Sequence, residues 1–166
     1  MDFEIRSCSE TDAVILAETI RAAFRDVAER FGLTRENAPR HPSNCSPDWV
    51  EKDMARGVVY YMIEDGGRAS GCVALEMANA EVGYLERLAV LPNRRRRGFG
   101  RALVAHALSE AARRGARRVN IGMIAEQAEL KDWYRGLGFV EGETREFAHL
   151  PFRVTFLSQG IQGEEP

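Results

Sequence analysis

Apolar residues recur at helical spacing over Val14, Ile15, Ala17, Ile20, Ala23, Phe24, Val27 and Phe31, and the run stops at Gly32. Ser9, Thr11 and Asp12 stand just ahead with side-chain oxygens able to cap a helix, so the spacing predicts a long first helix. Phe3 to Ser7 alternates as a strand does. Residues 34–45, T-R-E-N-A-P-R-H-P-S-N-C, hold two prolines, two asparagines and no periodicity, which marks a surface loop. Ser46 and Pro47 then place a capping hydroxyl and an N1 proline ahead of a short second helix, residues 48–56, closed by Gly57.

Two strands, residues 58–64 and 70–77, flank D-G-G-R, a hairpin turn whose glycines accept positive φ. Residues 84–90 form a fourth strand. A third helix spans 98–114, with Leu103, Val104, Ala107, Leu108 and Ala111 on one face and Gly115 as its stop. A strand at 117–123 and a fourth helix at 126–137 follow. Gly138 and Phe139 start the closing strands, of which 153–157 is the last, and residues 159–166 read as a frayed tail. The predicted order, β-α-α-β-β-β-α-β-α-β-β, is that of a mixed α/β domain with no internal repeat and no linker.

At 166 residues and 45% hydrophobic content, the chain has one well-buried core and is short for two domains, so a single domain over 1–158 with a tail at 159–166 is expected. A net charge of -2 gives no overall attraction to nucleic acid or to an anionic membrane, so neither is expected as a partner. Lys52 and Lys131 are the only lysines among 23 basic residues, a bias that genome composition explains as readily as phosphate binding. Cys8, Cys45 and Cys72 are widely spaced and form no C-x-x-C, so neither a disulfide framework nor a metal site is indicated. With no signal-like apolar core at the N-terminus and no apolar run of spanning length, a soluble cytoplasmic protein is expected.

One local feature stands out. Residues 94–103 read R-R-R-R-G-F-G-R-A-L, between a predicted strand with Pro92 and a predicted helix. A helix N-terminus opened by two glycines leaves a row of backbone N–H groups unpaired and facing an anion. The known phosphate loops do not match: a Walker loop needs G-K-[ST] where the chain has Gly100-Arg101, and a dinucleotide fingerprint needs a third glycine where it has Leu103. On this fragment alone, a solvated charge patch on a surface turn remains an equal alternative.

Arg95, Gly98 and Gly100 in R-x-x-G-x-G spacing, preceded by L-A-V-L-P and followed by L-K-D-W-Y-R-G-L-G-F, resemble the GNAT superfamily of acyl-CoA-dependent N-acetyltransferases. The resemblance implies a mixed, mostly antiparallel central sheet flanked by about four helices, and acetyl-CoA as co-substrate with no metal. It implies that Leu88, Ala89 and Val90 pair with the pantetheine amides. It places the pyrophosphate on the N–H groups from Arg96 through Arg97, Gly98, Phe99 and Gly100 to Arg101. Arg95, Arg96 and Arg101 are then candidate salt partners, while Arg94 and Arg97 are as readily solvated. Many members carry an asparagine seven residues before the tyrosine; this chain has Gln127, a weaker cofactor contact.

Tyr134, by the same resemblance, sits near the sulfur and supplies a proton to the departing thiolate. Packing beside Trp133 is its alternative. An alkyl amine with a pKa near 10 is only about one part in a thousand neutral at pH 7, so something must accept its proton. Glu86 is the first choice as base, and a pair with Arg87 or another arginine at a sheet surface is its alternative; His41, His149 and Asp132 rank lower. The acceptor pocket is expected between residues 31–49 and 147–152, with Phe31, His41 and His149 as weak substrate contacts. The acceptor is expected to be a primary amine of a small molecule or peptide, which attacks the thioester directly without a cysteine carrier at Cys45 or Cys72. A catalytically silent CoA-binding sensor or interaction module is the rival expectation. Dimers are common in that family, and a homodimer through the late strands is an option the chain leaves open.

Overall fold

The computed structural model describes residues 2–161. Its elements are β1 (Phe3–Ser7), α1 (Ala13–Phe31), α2 (Pro47–Ala55), β2 (Val59–Asp65), β3 (Arg68–Met77), β4 (Val82–Val90), α3 (Phe99–Arg113), β5 (Arg118–Ile124), α4 (Ala128–Gly136), β6 (Val140–Arg145) and β7 (Val154–Gly160). The strands form one seven-stranded sheet in the order β1-β2-β3-β4-β5-β7-β6. Every pairing is antiparallel except β4 with β5, the pair joined through α3. The mixed, mostly antiparallel sheet with four helices is the expected fold.

Local chemistry explains most boundaries. Gly32 closes α1 in the left-handed region at φ 63°, donating its N–H to the carbonyls of Ala28 and Glu29. Ser46 caps α2 by accepting from the Trp49 N–H, with Pro47 at the first helical position. Gly66 and Gly67, at φ 60° and 80°, make the two-residue hairpin between β2 and β3.

The sheet divides the interior into two layers. On one face α3 and α4 cover Ile63, Val73, Leu75, Leu85, Val119, Ile121 and Leu157. On the other, α1 and α2 cover Tyr60, Met62, Cys72, Ala74 and Ala89. A small third cluster of Leu33, Ala38 and Ile124, with Phe31 and Phe152 against it, ties the end of α1 to the connection before β7.

Several boundaries differ from the sequence expectation, and the differences come from pairing across the sheet or from packing against it. β4 begins at Val82, before residue 84, because Val82 and Gly83 pair with Arg118 and Val119 of β5. Gly83 looks like a strand breaker, yet an added Cβ there would meet Met77 Sδ at 3.3 Å, so the close packing of the sheet uses its missing side chain. Phe139 does not start a strand; it is a buried plug 3% exposed, and β6 begins after it. The frayed tail does not begin at Gln159, since Gln159 and Gly160 pair with Val119 and Arg118 and complete β7. The rest of the expected tail, 162–166, lies outside the described residues.

Candidate active site

Parallel β4 and β5 pair only over Val82–Tyr84 against Arg118–Asn120. Beyond Tyr84 the strands part, and β4 is paired to β3 alone, which leaves the backbone edge of Leu88, Ala89 and Val90 without a strand partner on its other side. A cleft of about 790 Å³ occupies this parting, walled by that edge, the loop after β4, the start of α3, Phe24 and Val27 of α1, and Leu130 and Trp133 of α4.

The loop is shaped for an anion. A 3-10 turn at Pro92–Arg94 leads to Arg96 at φ 65° and Gly98 at φ 83°, both left-handed, and α3 begins at Phe99. Among the described residues, no N–H from Arg95 to Gly98 donates to a backbone carbonyl. The N–H groups of Phe99, Gly100 and Arg101 are the first of the helix and have no partner within it. The helix dipole adds a favourable field for negative charge at the same point. Phe99 contributes only backbone here, because its ring is 1% exposed and packs edge-on against Phe3. An added Cβ on Gly100 would meet Trp133 Cζ2 at 3.3 Å, so this glycine lets the indole lie against the loop.

The arginines of the run divide by partner. Arg95 was expected on phosphate, but its guanidinium is tied to α1: it donates to Asp26 at 2.7 Å, to the Ala23 carbonyl at 2.8 Å and to the Val90 carbonyl at 3.3 Å. It braces the loop against the helix opposite. Arg97, also expected there, turns to Asp65 at 3.8 Å, and Arg94 donates to the same carboxylate at 3.1 Å. Arg96 and Arg101 line the cleft and make no ion pair or side-chain hydrogen bond among the described residues, which leaves these two cations for a phosphate.

Gln127 lies at the N-cap of α4 and lines the cleft as expected. Tyr134 is not on the wall. It packs beside Trp133, 7% exposed, with its ring edge-on to Trp133 and Phe139. Its hydroxyl has no hydrogen-bond partner among the described residues, and burial raises its pKa, so the phenol stays protonated at neutral pH. Glu86 also lies off the wall, half-buried, with no ion pair or hydrogen bond among the described residues. Burial raises its pKa, Glu76 and Asp53 push the same way, and Arg87 and Arg56 oppose them. The alternative, a pair with Arg87, does not form; Arg87 goes to Asp53 instead.

The three weaker substrate candidates lie outside the cleft wall. Phe31 packs in the third cluster beneath the Arg30 guanidinium. His149 is exposed and stacks edge-on with Phe147. His41 is a structural cap: its Nδ1 accepts from the Ser43 N–H at 3.2 Å and lies 2.7 Å from the Ser43 hydroxyl, and its ring packs against Phe24. Burial pushes His41 down to about 4, below the ordinary value near 6.5. The unfolded chain therefore binds the proton more tightly, and stability present above pH 6.5 is lost as pH falls towards 4. Wild type is expected to lose roughly 2–3 kcal/mol more between pH 7 and pH 4 than His41→Asn, measured by urea unfolding at each pH. Equal losses in the two proteins would remove His41 as a source of acid sensitivity.

Sequence reasoning missed Trp133, which flanks the predicted tyrosine, and the α1 side of the cleft. There Arg30 forms an ion pair with Glu129 of α4, and both residues line the cleft. Among the described residues, no cluster of three or more His, Cys, Asp or Glu side chains is arranged to hold a metal, and no helix is long and apolar enough to cross a membrane.

The model of the Acetyltransferase (GNAT) family matches residues 21–139, from part-way along α1 to the end of the segment carrying Tyr134. The chain belongs to the GNAT acetyltransferase family. Solved structures share its fold at low identity. A PaiA N-acetyltransferase from Thermoplasma acidophilum in complex with coenzyme A superposes with a TM-score of 0.79 at 15% identity, covering 97% of this chain and 100% of that one. A ribosomal-protein-S18-alanine N-acetyltransferase from Escherichia coli gives 0.77 at 19% identity, covering 99% of each chain. A GNAT family acetyltransferase from Elizabethkingia anophelis with acetyl-CoA bound gives 0.70 at 13% identity, covering 96% and 98%. No curated protein sequence matches this GNAT chain significantly.

Proposed function

We propose that this chain moves an acetyl group from acetyl-CoA directly to a primary amine of a small molecule or peptide, within a ternary complex and in the reducing cytoplasm. The observation that carries this reading is the continuity of the unpaired β4 edge with the free N–H groups at the start of α3. Pantetheine amides fit the edge, and pyrophosphate fits the loop with Arg96 and Arg101. The structural neighbours with coenzyme A or acetyl-CoA bound support the same ligand. Three free cysteines suit a reducing compartment.

In the proposed reaction Glu86, directly or through one water, takes a proton from the substrate ammonium; the lone pair so freed attacks the thioester carbonyl, and the nitrogen of the tetrahedral intermediate gives its second proton to solvent. The tetrahedral intermediate then collapses to the amide. The carbon–sulfur bond breaks, and the thiolate takes a proton from the Tyr134 phenol. The two groups suit opposite tasks: burial keeps the phenol protonated as a donor, while Glu86 has a raised pKa that makes it a stronger base than an ordinary carboxylate.

The test combines acetyl-CoA with free amino acids, polyamines, aminoglycosides and peptides with free N-termini, and follows thiol release together with product mass. One acceptor class is expected to speed thiol release and to gain one acetyl group. With that acceptor, kcat/KM of wild type should fall below a pH lying above the usual carboxylate range, and Glu86→Gln should lose activity and that acid limb together. Tight coenzyme A binding with no turnover for any class would support the silent binding module instead.

A further inference from the structure

We propose that Arg87, clamped by Asp53 and Tyr60, is a positioning residue that holds the β4 edge in the register the coenzyme A arm requires. The inference rests on reading the cleft as the coenzyme A site. Ala74 pairs with Glu86 and Cys72 with Ala89, so Val73 stands opposite two residues, Arg87 and Leu88: β4 carries a bulge. Arg87 takes φ 51° there, a left-handed conformation that a non-glycine residue holds only when its surroundings impose it.

The surroundings do so. The guanidinium forms an ion pair with Asp53 of α2, donates to the Tyr60 hydroxyl on β2, and lies 5.6 Å from the centre of the Trp49 ring on α2. Tyr60 in turn donates to Asp53 at 2.6 Å, and Arg56 holds the other Asp53 oxygen at 2.7 Å. The Asp53 side chain is 8% exposed and that of Arg87 19%, so water does not replace these partners. Burial alone would raise the Asp53 pKa, but its bonds to Tyr60, Arg56 and Arg87 hold it below the usual carboxylate value.

The bulge decides which way the rest of β4 faces. Leu85 packs on the α3 side, and strict alternation from it would send Leu88 and Val90 to the α1 side and Ala89 to the α3 side. The extra residue reverses this: Leu88 and Val90 pack with the α3 core and Ala89 with the α1 core. The backbone between them is the unpaired edge that leads into the loop. Arg87 does not line the cleft, and its side-chain partners lie on α2 and β2, so its effect on ligand passes through the strand.

The phosphate loop and the β4 edge can be probed separately. Adenosine 3′,5′-bisphosphate engages only the nucleotide end, whereas coenzyme A also needs the edge. Calorimetric titration of both ligands into the full chain is the experiment, with Arg87→Met, Arg87→Gly and Arg87→Lys beside wild type and melting temperatures recorded for each. Arg87→Met is expected to weaken coenzyme A at least tenfold while the bisphosphate changes less than twofold. Arg87→Gly accepts positive φ without a clamp and should recover part of the loss, as should Arg87→Lys, which keeps the charge beside Asp53. These two variants carry the test if the methionine variant does not fold. Unchanged coenzyme A affinity in variants of a binding-competent wild type overturns the clamp alone. A parallel fall of both ligands assigns Arg87 to general stability and also overturns it. Failure of wild type to bind coenzyme A overturns the clamp and the reading of the cleft together.

Discussion

A Gly98→Glu, Gly100→Glu double variant is expected to lose coenzyme A binding by at least about 100-fold, or roughly 3 kcal/mol, in calorimetric titration. Three causes act together. Gly98 holds φ 83°, which costs a non-glycine residue on the order of 1–3 kcal/mol and shifts the loop that presents the N–H groups. At Gly100 the new Cβ would stand 3.3 Å from Trp133, so the indole must give way by a few tenths of an ångström before the rest of the side chain is placed. Both carboxylates also sit where the phosphates are expected, at a helix N-terminus lined by Arg96 and Arg101. Gly136→Ala serves as the control, since no heavy atom lies within 4 Å of its added Cβ. Retention of wild-type affinity by the double variant would falsify the assignment of this loop to pyrophosphate.

Tyr134→Phe is expected to lower kcat by about 100-fold or more while coenzyme A affinity and melting temperature stay near wild type. The selectivity follows from what the ring and the hydroxyl each do. The ring packs at 5.0 Å from Trp133 and 5.5 Å from Phe139, and phenylalanine keeps both contacts. The hydroxyl makes no hydrogen bond among the described residues, so its removal leaves no buried partner stranded. Tyr134→Ala would remove the ring as well and cost about 3–5 kcal/mol of stability, which is why phenylalanine is the informative change. An unchanged kcat in Tyr134→Phe would leave the departing thiolate without this donor and reduce Tyr134 to a packing residue.

The element order and the glycine-opened loop before α3 were legible because their causes are local. The αL glycines at 32, 66, 67 and 98, the Ser46 cap and the N1 proline at 47 each act through bonds within a turn of the chain. A row of free N–H groups at a helix start likewise needs only the loop and the helix that follows. What the long-range contacts govern was not legible. Arg95 belongs to the loop motif, yet its carboxylate partner lies 69 residues away on α1, so a predicted phosphate ligand became a brace. Arg87 and Asp53 are 34 residues apart, and no periodicity announces a bulge held by such a pair. His41 reads as chemistry in a polar loop, but burial against Phe24 makes it a neutral cap.

The sequence by itself determined the order of strands and helices, the glycine-opened loop before α3 and the family. The tertiary structure decided where β4 and β5 part, which arginines stay free for phosphate and which carboxylates lose their solvent. The division follows from range: backbone conformation and capping are set by neighbours in sequence, whereas strand separation, side-chain pairing and desolvation depend on groups that only folding brings together.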